Sequence, residues 1–239
     1  MAKQSSANTI HIKGSPRRLA TVLRLPDRAA RATTCSIDLP GVDAHRVRIR
    51  PIKNTRSDAS LLKIKLPYDT PPGVYKGTVH LGDTELPITV DVEVHHGLQI
   101  FPTNVKAKLS RGQSLRESIA ILNGGNSTVE LANEYRFCVF DSTGVDRAFF
   151  LALAGDETKG SKRLDRFLDE LADSHGGRVR VEVPSGACLI KPGELIDVEV
   201  VFHFSDRLHA GRDYAGTWTL ENAALHVEIR MTEPQQELG

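Results

Sequence analysis

The chain has 239 residues, 40% of them hydrophobic and only 5% aromatic, with 19 glycines and 12 prolines. That is enough apolar content for two packed domains, and the composition favours short strands and many turns over long helices. Lys and Arg total 31 against 30 for Asp and Glu, so no basic surplus marks a nucleic-acid footprint and no acidic tail marks a solvating arm.

Met1 to Asn8 is polar and lacks the apolar core of a signal peptide. A cytoplasmic location is the default expectation, and an extracytoplasmic one after leader removal is the alternative. No apolar run is long enough for a transmembrane helix, which leaves peripheral membrane association open. Thr9 to Ile12, Ala20 to Leu25 and Thr33 to Leu39 are read as strands, separated by Gly14-Ser15-Pro16 and closed by Pro40-Gly41. Arg46 to Ile52 alternates: Arg46, Arg48 and Arg50 share one face, Val47 and Ile49 the other. Such a row suits an anionic partner or the protection of a sheet edge. A turn at Asn54 to Asp58 leads to a strand at Leu61 to Leu66, with Lys63 and Lys65 facing out. After the corner at Pro71-Pro72, two strands form a hairpin around Gly82-Asp83 and run to Val94. About seven strands at this spacing predict a sandwich.

His95-His96-Gly97 breaks the alternation and divides the chain into domains at 1–96 and 97–239. Leu98 to Pro102, Leu115 to Leu122, one long run from Val129 to Phe140, Arg178 to Val183 and Leu195 to Phe204 are the expected strands that follow. The chain then repeats itself. Arg212-Asp213-Tyr214-Ala215-Gly216-Thr217-Trp218-Thr219-Leu220 carries tyrosine, glycine, threonine and leucine in the register of Gly73-Val74-Tyr75-Lys76-Gly77-Thr78-Val79-His80-Leu81. Each copy precedes a second alternating run. An internal repeat of this kind predicts two similar β-domains in which Tyr75 matches Tyr214 and Gly77 matches Gly216. The tyrosines are expected to be largely buried with satisfied hydroxyls, and the glycines to permit close backbone approach.

One segment departs from the pattern. About 141–177 separates two strands by far more than a normal connection. It holds the apolar patch Phe149-Phe150-Leu151-Ala152-Leu153-Ala154, then Leu164, Phe167, Leu168 and Leu171 at i, i+3, i+4, i+7. That spacing predicts an amphipathic helix from about Lys159 to Ser174, stopped by Gly176-Gly177. Its stripe either covers its own sandwich or meets a partner. Phe149, Phe150, Leu164, Phe167, Leu168 and Leu171 are the candidate partner-binding residues.

The corner Pro71-Pro72-Gly73-Val74-Tyr75-Lys76-Gly77-Thr78-Val79, the turn Asn123-Gly124-Gly125-Asn126-Ser127-Thr128-Val129-Glu130-Leu131 and Pro192-Gly193-Glu194 together resemble bacterial immunoglobulin-like domains. The resemblance implies an all-β fold of two tandem Ig-like antiparallel β-sandwiches, the second with an inserted amphipathic α-helix. It is an architectural likeness, and such sandwiches host many roles. Two such domains are also similar to periplasmic pilus chaperones, without the chaperones' basic pilin-anchoring pair.

Chemistry-bearing patterns are sparse. His95 and His96 point opposite ways on an extended chain, and no Cys-x-x-Cys, His-Glu-x-x-His or acidic metal loop occurs, so no metal is expected. There is no nucleophile elbow, P-loop or dinucleotide fingerprint, so neither a catalytic residue nor a cofactor is assigned. Arg207, Arg212 and Asp213 flank a loop beside His209, which suits a small anion site or a plain surface turn. Cys138 and Cys188 allow one bridge, although three reduced thiols are the simpler reading. Asn126-Ser127-Thr128 matches a glycosylation sequon but belongs to a turn. The resulting expectation is a non-enzymatic protein–protein interaction module, an accessory or structural subunit of a larger assembly. The alternatives are a carbohydrate- or ligand-binding sandwich and a periplasmic chaperone-like protein.

Overall fold

The computed structural model describes residues 9–24, 35–40, 46–51, 59–81, 84–154 and 160–233. The turns expected at Asn54 to Asp58 and Gly82-Asp83 lie outside them. The chain forms two compact units. One comprises Met1–Gly97, Gly124–Thr128 and Lys191–Gly193; the other comprises Leu98–Asn123, Val129–Ile190 and Glu194–Gly239.

In the first unit the described strands are β1 (Ile10–Gly14), β2 (Leu19–Arg24), β3 (Cys35–Asp38), β4 (Arg46–Pro51), β5 (Ala59–Lys65), β6 (Gly73–Leu81) and β7 (Thr84–Val92). They make a four-stranded sheet in the order β1-β7-β6-β3 and a three-stranded sheet in the order β2-β5-β4. Alternation sets the core. Leu62 and Ile64 of β5 are buried between exposed Lys63 and Lys65, and they join Ile12, Leu19, Val79 and Val90 in one cluster drawn from both sheets. Among the described strands, β4 is an edge of its sheet. Asn126 belongs to this unit and is buried. Its Nδ2 donates to the carbonyls of Thr70 (3.1 Å) and Glu93 (2.9 Å), and its Oδ1 accepts from the His95 N–H (2.7 Å). An amide engaged in this way acts as a structural tie in a turn.

The second unit contains β8 (Leu98–Phe101), β9 (Asn104–Ser110), β10 (Ser114–Asn123), β11 (Val129–Leu131), β12 (Glu134–Asp141), β13 (His175–Glu182), β14 (Cys188–Ile190), β15 (Leu195–His203), β16 (Asp213–Leu220) and β17 (Ala223–Thr232). The run expected from Val129 to Phe140 is two strands, broken at Ala132-Asn133, and β11 pairs with β14 in a separate ribbon. The other eight strands form one continuous sheet, β8-β10-β15-β13-β12-β16-β17-β9. It doubles over: the Leu98 N–H near one end donates to Asn222 Oδ1 in the β16–β17 turn (3.2 Å) near the other. Ile119, Val200 and Phe202 from one side meet Val179, Trp218, Leu225 and Val227 from the other in a single core. Trp218 is 1% exposed, with Tyr135 at 5.4 Å and Phe202 at 6.2 Å between ring centroids. Cys138 and Cys188 are separate thiols.

The repeat is structural. Tyr75 and Gly77 of β6 stand opposite Val90 and Ile88 of β7, as Tyr214 and Gly216 of β16 stand opposite Ile229 and Val227 of β17. Both glycines lie where a neighbouring strand presses a carbonyl against the backbone. An added Cβ would sit 1.9 Å from Asp38 O at Gly77 and 2.5 Å from Cys138 O at Gly216. The tyrosines differ in burial. Tyr214 is 1% exposed and its hydroxyl accepts from the His209 N–H at 3.0 Å. Tyr75 is only half-buried, and its hydroxyl donates to Pro71 O at 2.8 Å. Each thus ties its strand to a residue four or five positions upstream. The repeat extends to a feature the sequence reading lacked: the edge strand pairs in parallel with the last strand in each unit, β1 with β7 and β9 with β17.

Gly216→Ala should therefore destabilise the protein by about 3 kcal/mol, the upper end of overpacking costs, because the obstacle is backbone. Urea denaturation followed by the single tryptophan measures it, and an unchanged midpoint would contradict the close approach.

Candidate functional site

The long insert forms two helices, α1 (Gly144–Ala154) and α2 (Gly160–Asp173). The second matches the expected helix. The first is a correction, because the apolar patch at Phe149 to Ala154 is itself helical. Thr143 starts it: the Arg147 N–H donates to Thr143 O at 2.9 Å, the first turn of the helix. Asp146 lies in that first turn, where the helix dipole favours negative charge. At the far end of the insert, Ser174 Oγ donates to Leu171 O at 2.6 Å and the Ser174 N–H donates to Glu170 O at 3.0 Å, and the next strand begins at His175, so the expected stop at Gly176-Gly177 lies inside that strand and the helix ends before it.

The helices pack on each other. Phe149 and Phe167 have ring centroids 4.6 Å apart, and Ala148 and Ala152 are buried one turn apart on α1. Phe167 and Leu171 are half-buried. Among the described residues, none of either helix belongs to the buried core cluster of the sandwich. Several large apolar side chains remain outward beside exposed charged ones: Phe149 54%, Phe150 69%, Leu164 56% and Leu168 50% exposed. Val145 (52%) and Leu153 (68%) join them, although neither is among the candidate partner-binding residues. Their i, i+4, i+8 spacing with Phe149 was the available signal.

The insert is rooted on a buried carboxylate. Asp141, at the end of β12, has a side chain with 0% exposure and an ion pair with Arg147 of α1. Its Oδ1 also accepts from the Thr143 N–H (2.9 Å) and Thr143 Oγ1 (3.0 Å). Arg212 approaches the same carboxylate at 3.8 Å and reaches Asp173, the last residue of α2, at 2.9 Å. His209 Nε2 lies 3.1 Å from the other Asp173 oxygen. Both helix ends therefore connect to one charged cluster. Burial alone would push the Asp141 carboxyl up. The hydrogen bonds from Arg147 and Thr143, together with the Arg147 charge, outweigh it and hold the carboxyl below its usual range. Asp173 is also held low, chiefly by the Arg212 hydrogen bond.

Three further histidines each have a separate partner. His203 faces Glu182 at 3.0 Å, His80 faces Glu85 at 3.3 Å, and His226 meets Thr217 at 3.0 Å. Among the described residues no three ligating side chains converge, and no helix is long and apolar enough to cross a membrane.

No family model and no curated protein matches the chain. Among solved structures it is similar to domains 4 and 5 of the S-layer protein SbsC, at 14% identity and a TM-score of 0.27, covering 67% of this chain and 66% of that one. It is similar to the titin I-band fragment I67–I69, at 6% identity and a TM-score of 0.36, covering 94% of this chain and 62% of that one. A PapD-like domain of human CEP192 gives 12% identity and a TM-score of 0.28 over 59% of this chain and 87% of its own. The chain spans less than two thirds of the first two. Its own strand order and packed cores carry the fold: an all-β chain of tandem immunoglobulin-like sandwiches.

Asp141→Asn should cost about 3 kcal/mol, because it leaves Arg147 buried against a neutral partner. The sign with pH follows from the depressed carboxyls. Their contribution is fully present above the unfolded value near 3.9 and is lost as pH falls through the lower folded values. Denaturation midpoints between neutral pH and about pH 3 should fall more steeply for the parent than for Asp141→Asn. Parallel curves would show that Asp141 does not titrate with folding.

Proposed function

We propose that the chain is a non-enzymatic protein–protein interaction module, an accessory or structural subunit of a larger assembly, that docks its partner on the paired helices of the second unit. The observation that carries this reading is the apolar surface of Phe149, Phe150, Leu153, Leu164 and Leu168 on helices that add nothing to the core of their own sandwich. Water contact at such side chains is unfavourable, and covering each stabilises a complex by about 1.5–3 kcal/mol. Phe167 packs against Phe149 across the helix pair, and the polar root at Asp141 fixes where the surface stands. Trp218 is buried and offers no stacking platform, which counts against the carbohydrate-binding alternative.

The triple variant Phe150→Ala, Leu153→Ala, Leu168→Ala separates surface from scaffold. It should shift the melting temperature by less than about 3 °C. Affinity purification from native cells, followed by mass spectrometry, should show the principal co-purifying protein reduced at least about tenfold. Phe167→Ala is the contrasting case and should cost about 2 kcal/mol of stability. Undiminished co-purification by the folded triple variant would overturn the proposal.

A further inference from the structure

Two clefts in the described part of the second unit differ in how their charges are paired. The larger, about 620 Å³, runs over β9, β16 and β17. Four of its five charged side chains pair across the strands, Lys106 with Glu228 at 2.7 Å and Arg230 with Asp213 at 2.8 Å, and the fifth is Lys108. The smaller, about 540 Å³, lies where β13 begins and is lined by His175, Gly177, Arg178, Ser205, Asp206 and Arg207 among others. There, neither guanidinium makes an ion pair with another described residue. Two positive charges share one cleft with a single carboxylate, that of Asp206. The lining therefore carries an excess of positive charge that an incoming anion offsets, and the guanidinium fork matches the paired oxygens of a carboxylate or phosphate.

The cleft is also shaped for close approach. Gly177 has φ +91°, and an added Cβ would lie 2.8 Å from Ser205 Cβ and 3.9 Å from Arg207 Cδ. Bare backbone therefore forms the wall beside the arginine stem, as it does where backbone must come near a ligand. The Gly177 N–H donates to His175 Nδ1 at 3.1 Å, and the His175 ring stands edge-on to Phe140 at 5.0 Å. Those two contacts fix the ring, and the bond to Nδ1 leaves the proton of the neutral imidazole on Nε2 as a donor. The loop residues flagged beside His209 are engaged elsewhere, since Arg212 binds Asp173 and Asp213 binds Arg230. Arg207 is the member of that loop left over, and it lies with Arg178.

We infer that this cleft is an oxyanion-binding site, for a carboxylate or a phosphate group, with Arg178 and Arg207 as the charged contacts. It rests on different residues from the apolar helix surface and stands or falls apart from it. The test uses the full chain, labelled with ¹⁵N, titrated separately with inorganic phosphate and with acetate at constant ionic strength in chloride. The expected result is saturable movement of the Gly177, Arg178 and Ser205 amide signals, with a Kd on the order of 1 mM for at least one anion. Saturation by phosphate alone assigns phosphate, and saturation by acetate alone assigns a carboxylate. The double variant Arg178→Gln, Arg207→Gln should weaken the titration at least about tenfold while the Trp218 indole signal holds its place. If that variant does not fold, Arg178→Lys with Arg207→Lys keeps the charge but removes the fork and should weaken binding measurably. No saturation above the chloride background by either anion, or an unaltered titration in the folded variants, overturns the inference.

Discussion

The carboxylate of Asp141 is the interaction on which the distinctive part of this protein depends. A helical pair that shares no core with its sandwich needs some other tether, and this one is electrostatic. The group is removed from water, yet hydrogen bonds from Arg147 and Thr143 keep it charged. Inside a protein such a contact is directional in a way that apolar burial is not. Arg212 then carries the same cluster to Asp173, so both ends of the insert are held at one place on the sheet. The Asp141 N–H donates to Ser174 O at 2.8 Å, which closes the base of the insert with backbone as well.

Much of the sandwich architecture is visible in residue order. Buried positions alternate with less buried ones along β17 and from Ser60 to Lys65 of β5, and β6 and β16 share a tyrosine, a glycine and a threonine in register. Those positions read clearly because one local rule, the two-residue period, decides them. The break in Val129 to Phe140 was less visible, because both halves alternate and only Ala132-Asn133 interrupts them. The strand β14 has three residues, too few for a period to register. The helix α1 was obscured for the opposite reason. Its run Phe149-Phe150-Leu151-Ala152-Leu153-Ala154 is apolar without interruption, which conceals any face.

The candidate sites divide along similar lines. An apolar stripe is a property of one segment, so Leu164, Phe167, Leu168 and Leu171 could be found in sequence, although which of them turn inward could not. The half-burial of Phe167 goes with its ring contact to Phe149 of α1, a fact about a second element. The polar root joins Asp141, Arg147, Asp173, His209 and Arg212, and the cleft joins Arg178 with Arg207. Each constellation is assembled by sheet pairing between strands distant in the chain, and no spacing rule along the sequence encodes it.

The parallel pairing of the first strand with the last in the first unit has a consequence for how the chain is made. During synthesis β1 emerges well before β7, the only described strand it pairs with. Until then it is an unpaired strand, and the contact that finally seats it spans nearly the whole unit. Closing so long a loop is entropically costly and slow relative to the local hairpin of β6 and β7. The order of events that topology favours is hairpin first and terminal strand last. In that interval β7 presents an open edge to any extended segment nearby, including the β1 of another nascent copy, so the topology that completes the sheet also creates a window for strand exchange between chains.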